Sequence, residues 1–251
     1  MAFKEYLRSK MEKAFPPSSL DPDALNDPPP PYVLPAEFRQ AGIQEDELEI
    51  LRDYNTVMIV DDSGSMESLW DQACRALATL AIVASRYDTN GIDIHFLNHR
   101  KAGKHLKSPE DVEELFESVS PCGPTPLGEC LERVTIQLLK DLDKGKSHRK
   151  TNYIVITDGR PTDDAESAIV QIARRLDKAG ATLSQLGIQF IQIGSDSHAR
   201  SFLESLDDDL KEKYSIRDIV DTEPYVEGEV TAARLTKLLL GGINRKIDRS
   251  S

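Results

Sequence analysis

Apolar residues follow two alternating rhythms from about residue 54 onward. Asn55 to Val60 is a short apolar, β-rich run, the pattern of a buried strand. From Leu69 to Tyr87 the apolar positions recur at helical spacing: Trp70, Ala73, Cys74, Leu77, Leu80, Ala81 and Ala84. Gly91 to Leu97 alternates as a strand, and Ala102 to Leu106 reads as a short edge strand. Ser108-Pro109-Glu110-Asp111 is a helix start, with a capping hydroxyl, a proline at the first turn and acids behind it. Val112, Leu115, Phe116 and Val119 form the stripe that follows. Leu127 to Leu142 predicts another helix, and Asn152 to Thr157 a second buried strand. A helix capped by Asp163 or Asp164 closes at Gly180, and Ile188 to Ile193 is a third buried strand. Ser197 to Leu206 and Thr231 to Leu240 read as helices, and Ile219-Val220 as a last short strand. Strands alternating with helices predict an α/β protein whose parallel sheet is covered on both faces.

The first 50 residues have a different texture. Ala2 to Phe15 is a short amphipathic helix candidate. A proline-dense stretch runs from Pro16-Pro17 through Pro28-Pro29-Pro30-Pro31-Tyr32 to Pro35, a composition that favours extended polyproline II. Glu45 to Leu51 is a further short helix candidate. The expected organisation is an N-terminal extension over 1–50, one domain over 51–245 and a tail over 246–251.

Composition narrows the function classes. The net charge is −12 and the pI about 4.9, which argues against nucleic acid and anionic membranes. No segment reaches the ~18 apolar residues that span a bilayer. Cys74, Cys122 and Cys130 are odd in number and irregularly spaced, so no disulfide framework is implied. Without a secretory signal pattern, the expectation is a cytoplasmic, intracellular protein.

Three polar clusters fall at the ends of predicted elements. They are Asp61-Asp62-Ser63-Gly64-Ser65, Gly123-Pro124-Thr125-Pro126-Leu127-Gly128, and Thr157-Asp158-Gly159-Arg160-Pro161. In open α/β sheets, ligands sit beyond the carboxyl ends of strands. Asp61, Ser63 and Ser65 at i, i+2 and i+4 can turn three oxygen-bearing side chains towards one point. Thr125 and Asp158 can close that point from two other loops. Hydroxyls and carboxylates are hard donors, suited to Mg²⁺ and its preference for about six oxygens.

The pattern Asp61-x-Ser63-x-Ser65, with Thr125 and Asp158, resembles the metal-ion-dependent adhesion site of von Willebrand factor type A domains. The flanking text is similar too: Ile59-Val60-Asp61-Asp62-Ser63-Gly64-Ser65-Met66, Thr125-Pro126-Leu127-Gly128-Glu129-Cys130-Leu131 and Ile156-Thr157-Asp158-Gly159-Arg160-Pro161. The resemblance spans roughly 54 to 241 and is to a stand-alone, fungal kind of member. It implies a Rossmann-like, doubly wound, mostly parallel six-stranded sheet with one short antiparallel edge strand. It implies that Ser63, Ser65 and Thr125 bind Mg²⁺ or Mn²⁺ directly, and that Asp61 and Asp158 act mainly through metal-bound water, or Asp158 directly in some states. It also implies that an Asp or Glu of a protein partner completes the coordination; no enzyme is expected, because Ser63 stands where a haloacid-dehalogenase-like phosphatase has its second acid and no histidine spacing suggests a base.

Other residues have plainer expectations. Asp62 should point away from the site, into solvent or supporting structure. Asp163 and Asp164 should cap a helix, and Ser65 or Ser68 is an alternative cap for the helix after the first loop. His95, His99, His105, His148 and His198 lack zinc spacing. Pro29-Pro30-Pro31-Tyr32 resembles the PPxY ligand of WW domains, which places Pro29, Pro30 and Tyr32 as candidate partner contacts. Two other functions stay open: a magnesium-dependent hydrolase or phosphatase at the same site, and a scaffold acting through the N-terminal arm.

Overall fold

Six strands form one sheet in the order β3-β2-β1-β4-β5-β6. The computed structural model describes residues 48–88, 90–107, 109–224 and 237–243. The strands are β1 (Tyr54–Val60), β2 (Ile92–Phe96), β3 (Gly103–Leu106), β4 (Lys150–Thr157), β5 (Leu186–Gln192) and β6 (Val220–Pro224). The helices are α1 (Trp70–Tyr87), α2 (Pro109–Glu117), α3 (Leu127–Asp143), α4 (Ala165–Lys178), α5 (Ser197–Asp208) and α6 (Leu210–Tyr214). All pairings are parallel except β2 with β3. The expected mostly parallel sheet with one antiparallel edge strand is therefore the observed one.

The apolar runs of β1 and β4 make them central strands, buried on both faces. Successive side chains on a strand point to opposite faces. Met58, Val60, Ile154 and Ile156 accordingly join one core with Leu77 and Leu80 of α1, Phe116 of α2 and Leu238–Leu240. Val57, Ile59, Tyr153 and Val155 join the other core with Leu131 of α3, Ile169 of α4 and Leu203 of α5. Both faces are covered, as the alternation of elements requires.

Several sequence expectations shift at their edges. The segment before α1 is a 3-10 turn, Gly64–Leu69, and among the described residues no side chain caps α1; the caps offered by Ser65 and Ser68 are not used. Residues 49–53 form a 3-10 turn directly after the helical Leu48, and residues 45–47 of the expected helix lie outside the described residues. Asp164 caps α4 by accepting the Ser167 N–H at 2.9 Å, and Gly180 closes that helix at φ +65°. Helix α6 lies in a charged stretch that reads as plain surface; five residues are too few to show periodicity. The Ser108 cap, the Ala2–Phe15 helix, the proline stretch and most of the Thr231–Leu240 helix lie outside the described residues.

The chain builds β1, β2 and β3 outward on one side, then returns to place β4 against the other side of β1. Loops after β1 and β4 therefore leave in opposite directions, and a crevice opens between their carboxyl ends.

Candidate metal centre

Register brings the first two loops together. Val60 pairs with Ile156, and the Asp61 N–H extends the ladder to the Ile156 carbonyl at 2.8 Å. Asp61 therefore lies beside Thr157. The Thr157 hydroxyl donates to Asp61 Oδ2 at 2.6 Å. The other oxygen, Oδ1, accepts the Ser63 N–H at 2.9 Å, a local turn that bends the chain after β1. Ser63 Oγ lies 3.1 Å from Ser65 Oγ, and Ser65 Oγ donates to Asp158 Oδ1 at 3.0 Å. Hydrogen bonds thus link Asp61, Ser63, Ser65 and Asp158 across two loops, Asp61 to Ser63 through the Ser63 N–H and the rest oxygen to oxygen.

The third loop is tied to the first by its backbone. Gly64 N–H donates to the Gly123 carbonyl at 3.0 Å, and Cys122 N–H to the Asp62 carbonyl at 2.7 Å. Gly123 adopts φ +86°, and a Cβ there would lie 3.1 Å from Asn98 Oδ1, so glycine suits both the turn and the contact. Thr125 donates its N–H to Thr162 Oγ1 at 3.1 Å, and its carbonyl accepts from Leu127 and Thr162. Those bonds commit the backbone of Thr125, and none of them joins its hydroxyl to the cluster of Asp61, Ser63, Ser65 and Asp158.

Asp61 is fully buried, as are Ser63 and Thr125 nearly so, whereas Gly64 and Ser65 are exposed. The cluster is therefore sunk at Asp61 and open at Ser65. Burial pushes the Asp61 carboxyl above its ordinary value, against the hydrogen bonds from Thr157 and Ser63, and the Asp158 charge adds to the rise. Burial raises Asp158 as well, against its bond from Ser65. The groups acting on this pair are hydroxyls, backbone and other carboxylates, none of them cationic. Two buried acids with no basic group among the described residues acting on them are costly when ionised, and a bound cation offsets that cost. The donor set is all oxygen and rich in hydroxyls, which fits a hard divalent ion. Among the described residues no three His, Cys, Asp or Glu side chains gather to hold a metal; a hydroxyl-rich cluster is a different kind of site.

Asp62 does point away from the cluster, but into the protein rather than solvent. It accepts from Asn98 N–H at 2.8 Å, Asn98 Nδ2 at 3.2 Å and His99 N–H at 2.9 Å. Asn98 also donates to the Pro124 carbonyl at 2.7 Å, so it locks the loop after β2 to both other loops. Asp163 caps α3 rather than α4, accepting from Gly128 and Glu129 N–H at 3.0 and 2.8 Å. Thr157 and Asn98 carry no motif of their own. For Thr157 the available signal is its place as the last residue of an apolar strand. Pro29, Pro30 and Tyr32 lie outside the described residues. A cleft of about 210 Å³, lined by Asn55, Asp93, Gln137, His148 and Tyr153 among others, sits near the amino ends of β1 and β4, away from this cluster.

The family model of the von Willebrand factor type A domain matches residues 55–218, well over half of the chain. The chain belongs to the von Willebrand factor type A domain family. No curated protein matches it. Von Willebrand factor type A domains generally mediate protein–protein interactions and commonly bind divalent metals. The matched span contains all three loops of the cluster, with β4 and all of β1 but its first residue. No helix among the described residues is long and apolar enough to cross a membrane.

Proposed function

We propose that the chain is a divalent-metal-dependent protein-binding module, not an enzyme. The observation that carries this is the hydrogen-bonded Asp61–Ser63–Ser65–Asp158 cluster at the β1/β4 switch point. Ser63, Ser65 and Thr125 would hold Mg²⁺ or Mn²⁺ through their hydroxyls, with Asp61 and Asp158 behind them. The bound ion supplies an electrophilic point for an oxygen ligand. Neutral hydroxyls remove little of its charge, which favours a carboxylate from a partner protein.

This chain's residues do the positioning. Thr157 and the Ser63 N–H orient the Asp61 carboxylate. Asp62 and Asn98 hold the loops in register. Ser65 sits at the exposed rim where a partner would arrive. A WW domain reading Pro29, Pro30 and Tyr32 is a second partner class, resting on the proline motif alone.

Thermal melts in EDTA, Mg²⁺ and Mn²⁺ test the reading. A ligand that binds only the native state at a hundredfold excess over Kd stabilises by about 2.7 kcal/mol. The expected result is a metal-dependent rise in Tm for the wild type that Ser65→Ala and Thr125→Ala lose. Equal melts in EDTA and in either metal would count against it, as would magnesium-dependent phosphatase activity lost in Asp61→Asn.

A further inference from the structure

Between Asn98 and Lys107 the chain carries Arg100, Lys101, Lys104 and Lys107 and no acidic residue, although the protein's net charge is −12. All four are exposed. Arg100 makes one loose contact, 3.7 Å to the exposed Glu129, and among the described residues Lys101, Lys104 and Lys107 are in no ion pair. The segment starts beside the loops that carry the candidate metal centre, because Asn98 and His99 donate to Asp62 of the first loop and Asn98 to Pro124 of the Thr125 loop. It then turns back as β3, antiparallel to β2, with Gly103 beside Ile94 and Leu106 beside Ile92. Strand β3 is the margin of the sheet. A basic strip therefore runs from the rim of the candidate centre down the free edge of the sheet.

We infer that this strip is the second half of the partner site, and that the partner is an acidic, extended polypeptide segment. One carboxylate of the segment meets the metal, and its neighbouring acids lie along Arg100, Lys101, Lys104 and Lys107. The inference rests on the metal-dependent reading above and adds the class of partner. Lysines on an edge strand also prevent edge-to-edge pairing. That role accounts for Lys104 but not for Arg100 and Lys101, which precede the strand beside the centre. Complementary charge at a rim acts mainly on encounter rate and on salt dependence. A nucleic acid is the other polyanion that such a strip could meet, but it offers no carboxylate for the metal, and the test below separates the two.

The test uses the full chain and a fluorescein-labelled decapeptide of alternating Glu and Gly, read by fluorescence anisotropy with Mg²⁺. The controls are the same peptide with Gln for Glu and an oligothymidylate of equal length. Wild type should bind the Glu peptide, more weakly as salt rises from ~0.05 to ~0.3 M, and should ignore the Gln peptide. The triple variant Lys101→Gln, Lys104→Gln, Lys107→Gln should lose about tenfold or more in affinity while keeping its Mg²⁺-dependent rise in Tm. Full affinity in that variant, with binding abolished by EDTA, would overturn the strip and leave the metal reading standing. Loss of affinity in that variant, with binding indifferent to EDTA and to Ser65→Ala, would support the strip and overturn the metal reading. No binding of the Glu peptide by wild type, or tighter binding of the oligothymidylate, would overturn the partner class.

Discussion

Thr157 Oγ1 donates to Asp61 Oδ2 at 2.6 Å, joining residues 96 positions apart at the carboxyl ends of adjacent parallel strands. Asp61 is buried, and this bond is one of the few that support its charge. Thr157→Val keeps the shape and removes the donor. The expected loss is about 1–3 kcal/mol, the cost of an unsatisfied buried acceptor. Urea unfolding measures it, and Thr157→Ser should recover most of it.

Asp62 is the clamp on the loop after β2. Its carboxylate takes three N–H donors from Asn98 and His99. Asp62→Ala removes a buried charged acceptor and should cost about 3 kcal/mol, the upper range for such a bond. Asp62→Asn should recover only part, because the amide presents a donor where the loop needs an acceptor. Equal midpoints in denaturant for Asp62→Ala and wild type would contradict the clamp.

Stability should depend on pH in opposite directions with and without metal. Burial raises both Asp61 and Asp158 above their unfolded values. The folded chain then holds more protons than the unfolded chain between those values. The contribution of this pair to metal-free stability is therefore fully present below the ordinary carboxylate pKa. It is lost as pH rises through the raised values. A divalent ion competes with those protons, so the stabilisation by Mg²⁺ should grow over the same window. Tm against pH, in EDTA and in Mg²⁺, reads both slopes. A Mg²⁺ effect that shrinks with rising pH would contradict the assignment of these two acids to the metal.

One thiol should react in the native protein. Cys122 is exposed, whereas Cys74 and Cys130 are buried. Burial pushes the Cys130 thiol up to about 12, well away from the reactive thiolate. Titration with a disulfide reagent should give one rapid equivalent in buffer and three in denaturant. Two rapid equivalents in buffer would show that a buried cysteine opens readily.

Much of this architecture was legible along the chain, for a physical reason. A strand buried on both faces must be a short apolar run, and a helix lying on a sheet must carry a stripe. Both patterns are local, so β1, β4, α3 and α4 could be read from residue spacing. Asp61, Ser63 and Ser65 were legible together because one short loop holds all three. Thr125 and Asp158 joined them only through the resemblance and through their position at element ends.

What stayed hidden depends on contacts between distant segments. The pairing of Thr157 with Asp61 needs the β1–β4 register. Asp163 and Asp164 are adjacent acids, yet one caps α3 and the other α4; the proximity of Gly128 decides which. Asp62 reads as a spare carboxylate until the loop after β2 folds back onto it. The basic residues from Arg100 to Lys107 are plain in the sequence, but their meaning depends on β3 being the free edge. Spacing and pattern along the chain therefore determined the elements and the grouping of Asp61, Ser63 and Ser65, because those are local. Which oxygen supports which, and which charges share a surface, was decided by the tertiary structure, because strand order and register set distances that no local pattern encodes.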